Sequence, residues 1–261
     1  MNHLSSYFPD PKGTRLHYQY WENMSKGYDK VALVLHGLGY HSGAYPSLVP
    51  KLLAENFKVY ALDFAGFGHS PGERGSGGVL AMADAIESIC RRIESVEGAR
   101  EIDIIAHSIG AVAALLFLKR YPARKARLAA VAPLLFGVPV DTAPETHFED
   151  EAARKRLEAD VLVAYSVPNA FASDLDATAK SLLHDTSFLE GRKAAFFVGE
   201  SDSLVPFEKL RETVETLPLK DRRFVSFPRE RHDPLGGKRG LDAIAAIVAW
   251  FDETRFEHRT L

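Results

Sequence analysis

Residues Glu101 to Tyr121, EIDIIAHSIGAVAALLFLKRY, change character in the middle. Ile102, Ile104 and Ile105 make a short β-branched run that reads as a buried strand, while Ala111 to Leu118 is apolar all round and rich in helix formers. His107-Ser108-Ile109-Gly110 lies between them. A serine on a sharp turn from buried strand to buried helix is a nucleophile elbow, in which a strained backbone lifts the hydroxyl clear of the sheet. Strand and helix nearly touch there, so small residues are needed two places before and after the serine. Those residues are Ala106 and Gly110, giving A-x-S-x-G, in which alanine adds one methyl to the usual glycine.

The rest of the chain supplies a matching frame. Gly13 to Trp21 alternates and reads as an early antiparallel strand after the turn marked by Pro9 and Pro11. Lys30 to Leu35 is a continuous apolar strand, the signature of a parallel strand covered on both faces. Ala44 to Asn56 reads as helix, Phe57 to Phe64 as strand, Gly77 to Val96 as a long helix and Leu128 to Leu134 as another buried strand. From Gly137 to Ser173 the rhythm breaks and the chain turns acidic, with helical spacing over Glu151 to Tyr165 that puts Leu157, Val161 and Tyr165 on one face. A helix over Leu175 to Leu189 follows, then strand (Arg192 to Glu200), helix (Pro206 to Leu217), strand (Arg223 to Phe227) and a closing helix (Gly240 to Phe251). This alternation predicts an α/β fold, a mostly parallel doubly wound sheet with a small inserted helical cap. The core is expected over residues 1–136 and 174–261 and the cap over 137–173. Right-handed crossovers gather the strand C-terminal ends along one edge.

That edge collects the chemistry. A serine hydroxyl needs a base to take its proton, and the base needs a carboxylate to fix its tautomer. In this topology the order is serine, acid, histidine. Asp202, just past a strand and before a helix, stands in the acid's place, and His232, past the last strand, in the base's. Taken singly, Asp202 reads equally well as a helix cap and His232 as a loop histidine; three residue types at three matching strand ends argue for a triad. Glu200 lies closer to its strand and is expected to be structural or to line a pocket; Asp233 is expected to point elsewhere. His147 and His184 read as cap and helix histidines. The oxyanion needs two N–H donors. Ile109, at the N-terminus of the elbow helix, offers one, and Leu38 in His36-Gly37-Leu38-Gly39 the other, with His36 bracing that loop. Gly66, Gly68 and Gly72 only loosely resemble a dinucleotide fingerprint, and Asp63 is expected to tie that loop together.

Composition excludes other classes. The hydrophobic share of 46% is ample for a core, and a net charge of −3 gives no reason to expect nucleic acid. The cluster Arg120, Arg124, Lys125 and Arg127 reads as a solvated helix end. One cysteine, Cys90, rules out an internal disulfide, and no HExxH or dense His/Asp cluster suggests a metal. The N-terminus lacks the pattern of a signal peptide and the longest apolar run, Ile109 to Leu118, is too short to span a bilayer, so a cytoplasmic protein is expected.

The elbow, HGLG and Asp63-Phe64-Ala65-Gly66-Phe67-Gly68-His69-Ser70-Pro71-Gly72-Glu73-Arg74-Gly75 together resemble the α/β-hydrolase superfamily, and within it the monoacylglycerol lipase and lysophospholipase-like group. That group shows D-x-x-G-x-G-x-S-x-G-x-R-G and a histidine before the elbow serine. The resemblance covers Gly13 to Phe251. It implies a triad of Ser108, Asp202 and His232, an oxyanion hole at Leu38 and Ile109, and no cofactor. Ala106 for the first elbow glycine, and Asp233 where the group often has glutamate, are departures. The expectation is a serine carboxylester hydrolase acting on monoacylglycerol-like or other short- to medium-chain acyl esters, with Leu157, Val161, Leu162, Tyr165 and Phe171 of the cap lining an acyl pocket or packing the cap onto the core. Lysophospholipase, thioesterase and proline iminopeptidase-like peptidase share the triad, and a non-hydrolytic small-molecule receptor shares the scaffold. Transient contact of the cap with a lipid surface fits the same reading, and the oligomeric state stays open.

Overall fold

The computed structural model describes residues 1–99, 101–137 and 141–256. Its frame is an eight-stranded sheet. A hairpin comes first, β1 (Asn2–Pro9) paired antiparallel with β2 (Arg15–Glu22). The parallel strands are β3 (Lys30–Leu35), β4 (Phe57–Leu62), β5 (Ile102–His107), β6 (Ala126–Val131), β7 (Lys193–Gly199) and β8 (Asp221–Phe227). The order across the sheet is β1-β2-β4-β3-β5-β6-β7-β8, with β5 near the middle. Every residue of β3, β4, β5 and β7 is buried, as strands covered on both faces require, the charged Lys58 and Asp103 included.

Alternate side chains feed two apolar layers. Leu33, Leu35, Ile102, Ile104 and Ala106 face one layer, with α2 (Gly78–Glu97), α3 (Ile109–Arg120), α6 (Asn169–His184) and α7 (Phe207–Thr216). Ala32, Val34 and Ile105 face the other, with α1 (Leu48–Ala54) and α8 (Gly240–Phe256). The remaining helices, α4 (Pro144–His147) and α5 (Glu151–Ala159), lie between β6 and α6 in the chain. Among the described residues no helix is long and apolar enough to cross a membrane.

Four expectations need correction. First, β1 was not foreseen: only Phe8 of its eight residues is buried, so no alternation announces it, and its hairpin partner Leu16 supplies the register. Second, the helix expected over Glu151 to Tyr165 stops at Ala159. Asp160 Oδ1 accepts the Leu162 N–H at 3.0 Å, an aspartate turn that competes with helix continuation. Third, α6 begins at Asn169 and runs through the expected cap boundary at 173; Phe171, Leu175, Ala179 and Leu182 bury it in the first apolar layer. The helix thus starts inside the stretch 137–173 expected as the cap, of which residues 138–140 lie outside the described residues. Fourth, Arg127 is not part of a solvated helix end. It is buried on β6 and makes a two-pronged bond to Asp103 on β5, at 2.8 and 2.7 Å.

Candidate active site

The elbow forms where the fully buried strand β5 meets the apolar start of α3 at one residue. Ser108 takes φ 57° and ψ −116°, a backbone conformation that side chains other than glycine rarely adopt. Its N–H donates to Val131 O at 2.8 Å, which ties the turn to β6. Gly110 is required: a Cβ there would sit 2.7 Å from His36 O and 2.8 Å from Leu35 O. The alanine at position 106 is fully buried in the sheet and accommodated.

Three side chains from three strand ends meet here. His232 Nε2 lies 2.8 Å from Ser108 Oγ, and His232 Nδ1 lies 2.9 Å from Asp202 Oδ2. The other carboxylate oxygen of Asp202 accepts the N–H groups of Leu204 and Val205, at 2.8 and 3.1 Å, which fixes the carboxylate plane before α7 begins. The Ser108 hydroxyl is thus aimed at an imidazole whose far nitrogen faces a buried carboxylate. Ile109 is the first residue of α3, so its N–H has no acceptor within the helix. The loop carrying Leu38 packs directly against the elbow: a Cβ on Gly37 would lie 3.1 Å from the Ser108 Cβ.

Rival residues fall elsewhere. Glu200 is exposed and accepts from Ser226 Oγ at 2.7 Å. Asp233 is buried but turns its Oδ1 to the N–H groups of Leu235 and Gly236. His184 is exposed at the end of α6. His147, by contrast, is drawn in beside the site, its ring 5.6 Å from that of His232. Burial, followed by the nearby His232 and His107, pushes its pKa down to about 2, so it stays neutral. His36 bridges two loops, with Nδ1 on Gly37 O at 2.9 Å and Nε2 accepting the Phe64 N–H at 3.0 Å; burial lowers its pKa to about 4. Asp63 anchors the glycine-rich loop after β4, accepting from Ser42 N at 2.5 Å, His69 N at 3.0 Å and His17 Nδ1 at 2.8 Å. These bonds hold it well below the usual carboxylate range although burial alone would raise it. Gly68 lets the loop close on that carboxylate, since a Cβ would sit 2.3 Å from Asp63 Oδ2.

Ser108 is 0% exposed, and residues between α4 and α6 lie against the loops around it. Ala164 N donates to Gly39 O at 2.9 Å, and His41 Nε2 meets Asp160 Oδ2 at 2.8 Å, so the turn after α5 lies on the loop of Leu38. The expected acyl-pocket set does not gather. Val161 is 95% exposed at the tip of the turn that ended α5 early. Leu162 and Tyr165 are half-buried. Leu157 packs in the layer of α1 and α8, whereas Phe171 packs in the opposite layer, its ring over Gly75 and Phe67. Sequence reading missed Tyr45, His107 and His147 as neighbours of the site; only the histidine preceding the elbow serine carried a signal.

The central parallel strands with crossover helices on both faces, the antiparallel first hairpin and the strand–serine–helix elbow define an α/β-hydrolase fold. Comparison with known proteins agrees. A family model described as "Serine aminopeptidase, S33" matches residues 27–144, a little under half of the chain. Human monoglyceride lipase is 28% identical over 134 residues, covering 49% of this chain and 42% of that protein. A probable lysophospholipase of Arabidopsis thaliana, BODYGUARD 2, is 28% identical over 102 residues, covering 39% and 21%. The chain thus matches less than half the length of these curated relatives. In fold, it superposes on the monoacylglycerol lipase of Paleococcus ferrophilus with a TM-score of 0.77 at 22% identity, covering 96% of this chain and 98% of that one. A soluble variant of Saccharomyces cerevisiae monoglyceride lipase with a substrate analogue gives 0.84 at 15% identity, covering 95% and 94%. Within the α/β-hydrolase fold, the chain resembles the monoacylglycerol lipase-like group.

Proposed function

We propose that the protein is a serine carboxylester hydrolase that works through an acyl-enzyme. The observation that supports this most is the continuous line Ser108 Oγ–His232 Nε2 and His232 Nδ1–Asp202 Oδ2, at 2.8 and 2.9 Å, on the strand-end edge. Ser108 Oγ attacks the ester carbonyl while His232 Nε2 takes its proton. Charge that develops on the carbonyl oxygen is met by the N–H groups of Leu38 and Ile109, the latter reinforced by the dipole of α3. His232 then protonates the leaving alcohol. Water, deprotonated by the same nitrogen, attacks the acyl carbon and returns free Ser108. Asp202 holds His232 in the tautomer that presents a bare Nε2 to the hydroxyl and stabilises its cation.

Resemblance to monoglyceride lipases favours monoacylglycerol-like esters as the substrate class, with Asp141–Pro168 acting as a cap that must move before Ser108 is reached. A p-nitrophenyl ester series from acetate to palmitate, on wild type and Ser108→Ala together, tests the reading and locates the acyl pocket. Turnover by wild type alone, followed by release of fatty acid from monoacylglycerols, is expected. Faster release from lysophospholipids, thioesters or aminoacyl amides would move the assignment to those classes. A folded wild type that binds esters and turns over none would make it a receptor.

A further inference from the structure

We propose that Tyr45 and His107 are positioning residues that lock the loop of Leu38 and the loop of His232 into one register; the inference builds on the hydrolase reading above. The two loops leave β3 and β8, which the sheet order separates by β5, β6 and β7, so no strand pairing ties one to the other. A buried chain of side-chain bonds does. Tyr45 Oη lies 3.1 Å from Gly37 N and 3.1 Å from His107 Nδ1, and His107 Nε2 lies 3.0 Å from the carbonyl oxygen of His232.

The donors in this chain can be assigned in one way. A carbonyl oxygen only accepts, so His107 carries its proton on Nε2. Burial favours the neutral imidazole, so Nδ1 is an acceptor and takes the Tyr45 hydroxyl proton. The phenol oxygen is then free to accept the Gly37 N–H. Each group makes the bonds its chemistry allows, with Tyr45 and His107 both buried. Packing enforces the same geometry. A Cβ on Gly37 would lie 2.7 Å from His107 Nδ1, so the residue before Leu38 rests on the imidazole itself. The His107 ring also stands 5.2 Å from the His232 ring and 5.5 Å from that of Tyr40.

The function of such a link follows from tolerance. Attack requires the Ser108–His232 bond and the Leu38 N–H to be correct at the same instant, and a misplacement of about 1 Å costs roughly 100-fold in rate. Ser108 and His107 are adjacent, so the nucleophile, one oxyanion donor and the base are indexed to a single side chain.

The test compares Tyr45→Phe, His107→Leu and His107→Gln with wild type on a soluble ester. Phenylalanine keeps the ring and removes the bond; glutamine keeps an N–H that can reach the His232 carbonyl. A roughly 10- to 100-fold fall in kcat with unchanged KM is expected for Tyr45→Phe and His107→Leu. Glutamine should recover a large part of the loss, and adding Tyr45→Phe to His107→Leu should cost little more, as for groups acting as one unit. Wild-type kcat in both single variants, or a loss confined to KM, would overturn the proposal. Amide hydrogen exchange gives a second reading that needs no turnover: Tyr45→Phe should raise exchange at residues 37–39 and 231–233 together, and a rise in only one loop also overturns it. An inert wild type would sink the hydrolase reading and leave this second test in force.

Discussion

The strand-end edge and the cap that covers it are built by different means. At the edge, polar groups are buried in pairs: Ser108, His232, Asp202, His36, Asp63, His107 and Tyr45 each bond to a named partner. Among the described residues, His147 Nδ1 and Tyr165 Oη of the cap are buried without a hydrogen bond, as is Tyr40 Oη at the edge, and Val161 is exposed. The cap meets the edge mainly at main-chain groups: Ala164 N donates to Gly39 O, His232 N to Thr146 O, Asp233 N to His147 O, Arg156 to Gly236 O and Arg231 to Glu145 O, with Asp160 to His41 the one pair of side chains among them. Satisfied buried networks fix one arrangement, while partly satisfied ones leave alternatives close in energy. The edge is therefore fixed by a network of paired side chains, whereas the cap is held mostly by its backbone.

Substitutions can break or sharpen this contrast. The largest effect is expected at the edge, where Ser108→Ala should fold normally and lose on the order of 10⁶ in kcat, and Asp202→Asn on the order of 10⁴; steady-state ester hydrolysis checks both. Full activity of Asp202→Asn would mean that the acid lies elsewhere. Next, Ile104→Ala empties a fully buried position of β5 and should destabilise by about 4 kcal/mol in urea unfolding. Acid should also weaken the edge. The unfolded chain protonates His36 below its ordinary pKa of 6.5, whereas the folded protein resists until about 4. The contribution of His36 is therefore complete above pH 6.5 and falls by up to about 3 kcal/mol as the pH drops toward 4. Thermal unfolding across that window measures it, and His147→Phe should flatten the slope because His147 must likewise stay neutral. The smallest effect is expected at the cap tip: Val161→Ser should change stability by less than about 0.5 kcal/mol. A larger loss would show that the cap is as tightly determined as the edge.

The same contrast governs what could be read from the chain. Strands such as β3 and β5 announce themselves because burial on both faces demands mostly apolar runs, and the elbow because a buried strand and an apolar helix must meet at a small turn. Strand-end placement pointed to Asp202 and His232 for the same reason, since topology fixes where loops emerge. The cap carried no such constraint. Helical spacing through Tyr165 was cut by one aspartate, Asp160, whose turn-forming bond no periodicity displays. Leu157 and Phe171 looked equivalent as apolar residues, but the two apolar layers separate them. The bond chain from Tyr45 through His107 to the His232 loop escaped notice because it joins strands far apart in the sheet order.

The backbone of Ser108 has a thermodynamic meaning of its own. A non-glycine residue at φ 57°, ψ −116° is held there by its surroundings against its own preference. A Ser108→Gly protein loses the hydroxyl and the strain together, while Ser108→Ala loses the hydroxyl alone. Any extra heat tolerance of the glycine form over the alanine form is then the resistance that the elbow overcomes to present its hydroxyl. Chemical competence and durability are set against each other at one residue, and a melting curve records that opposition without any substrate.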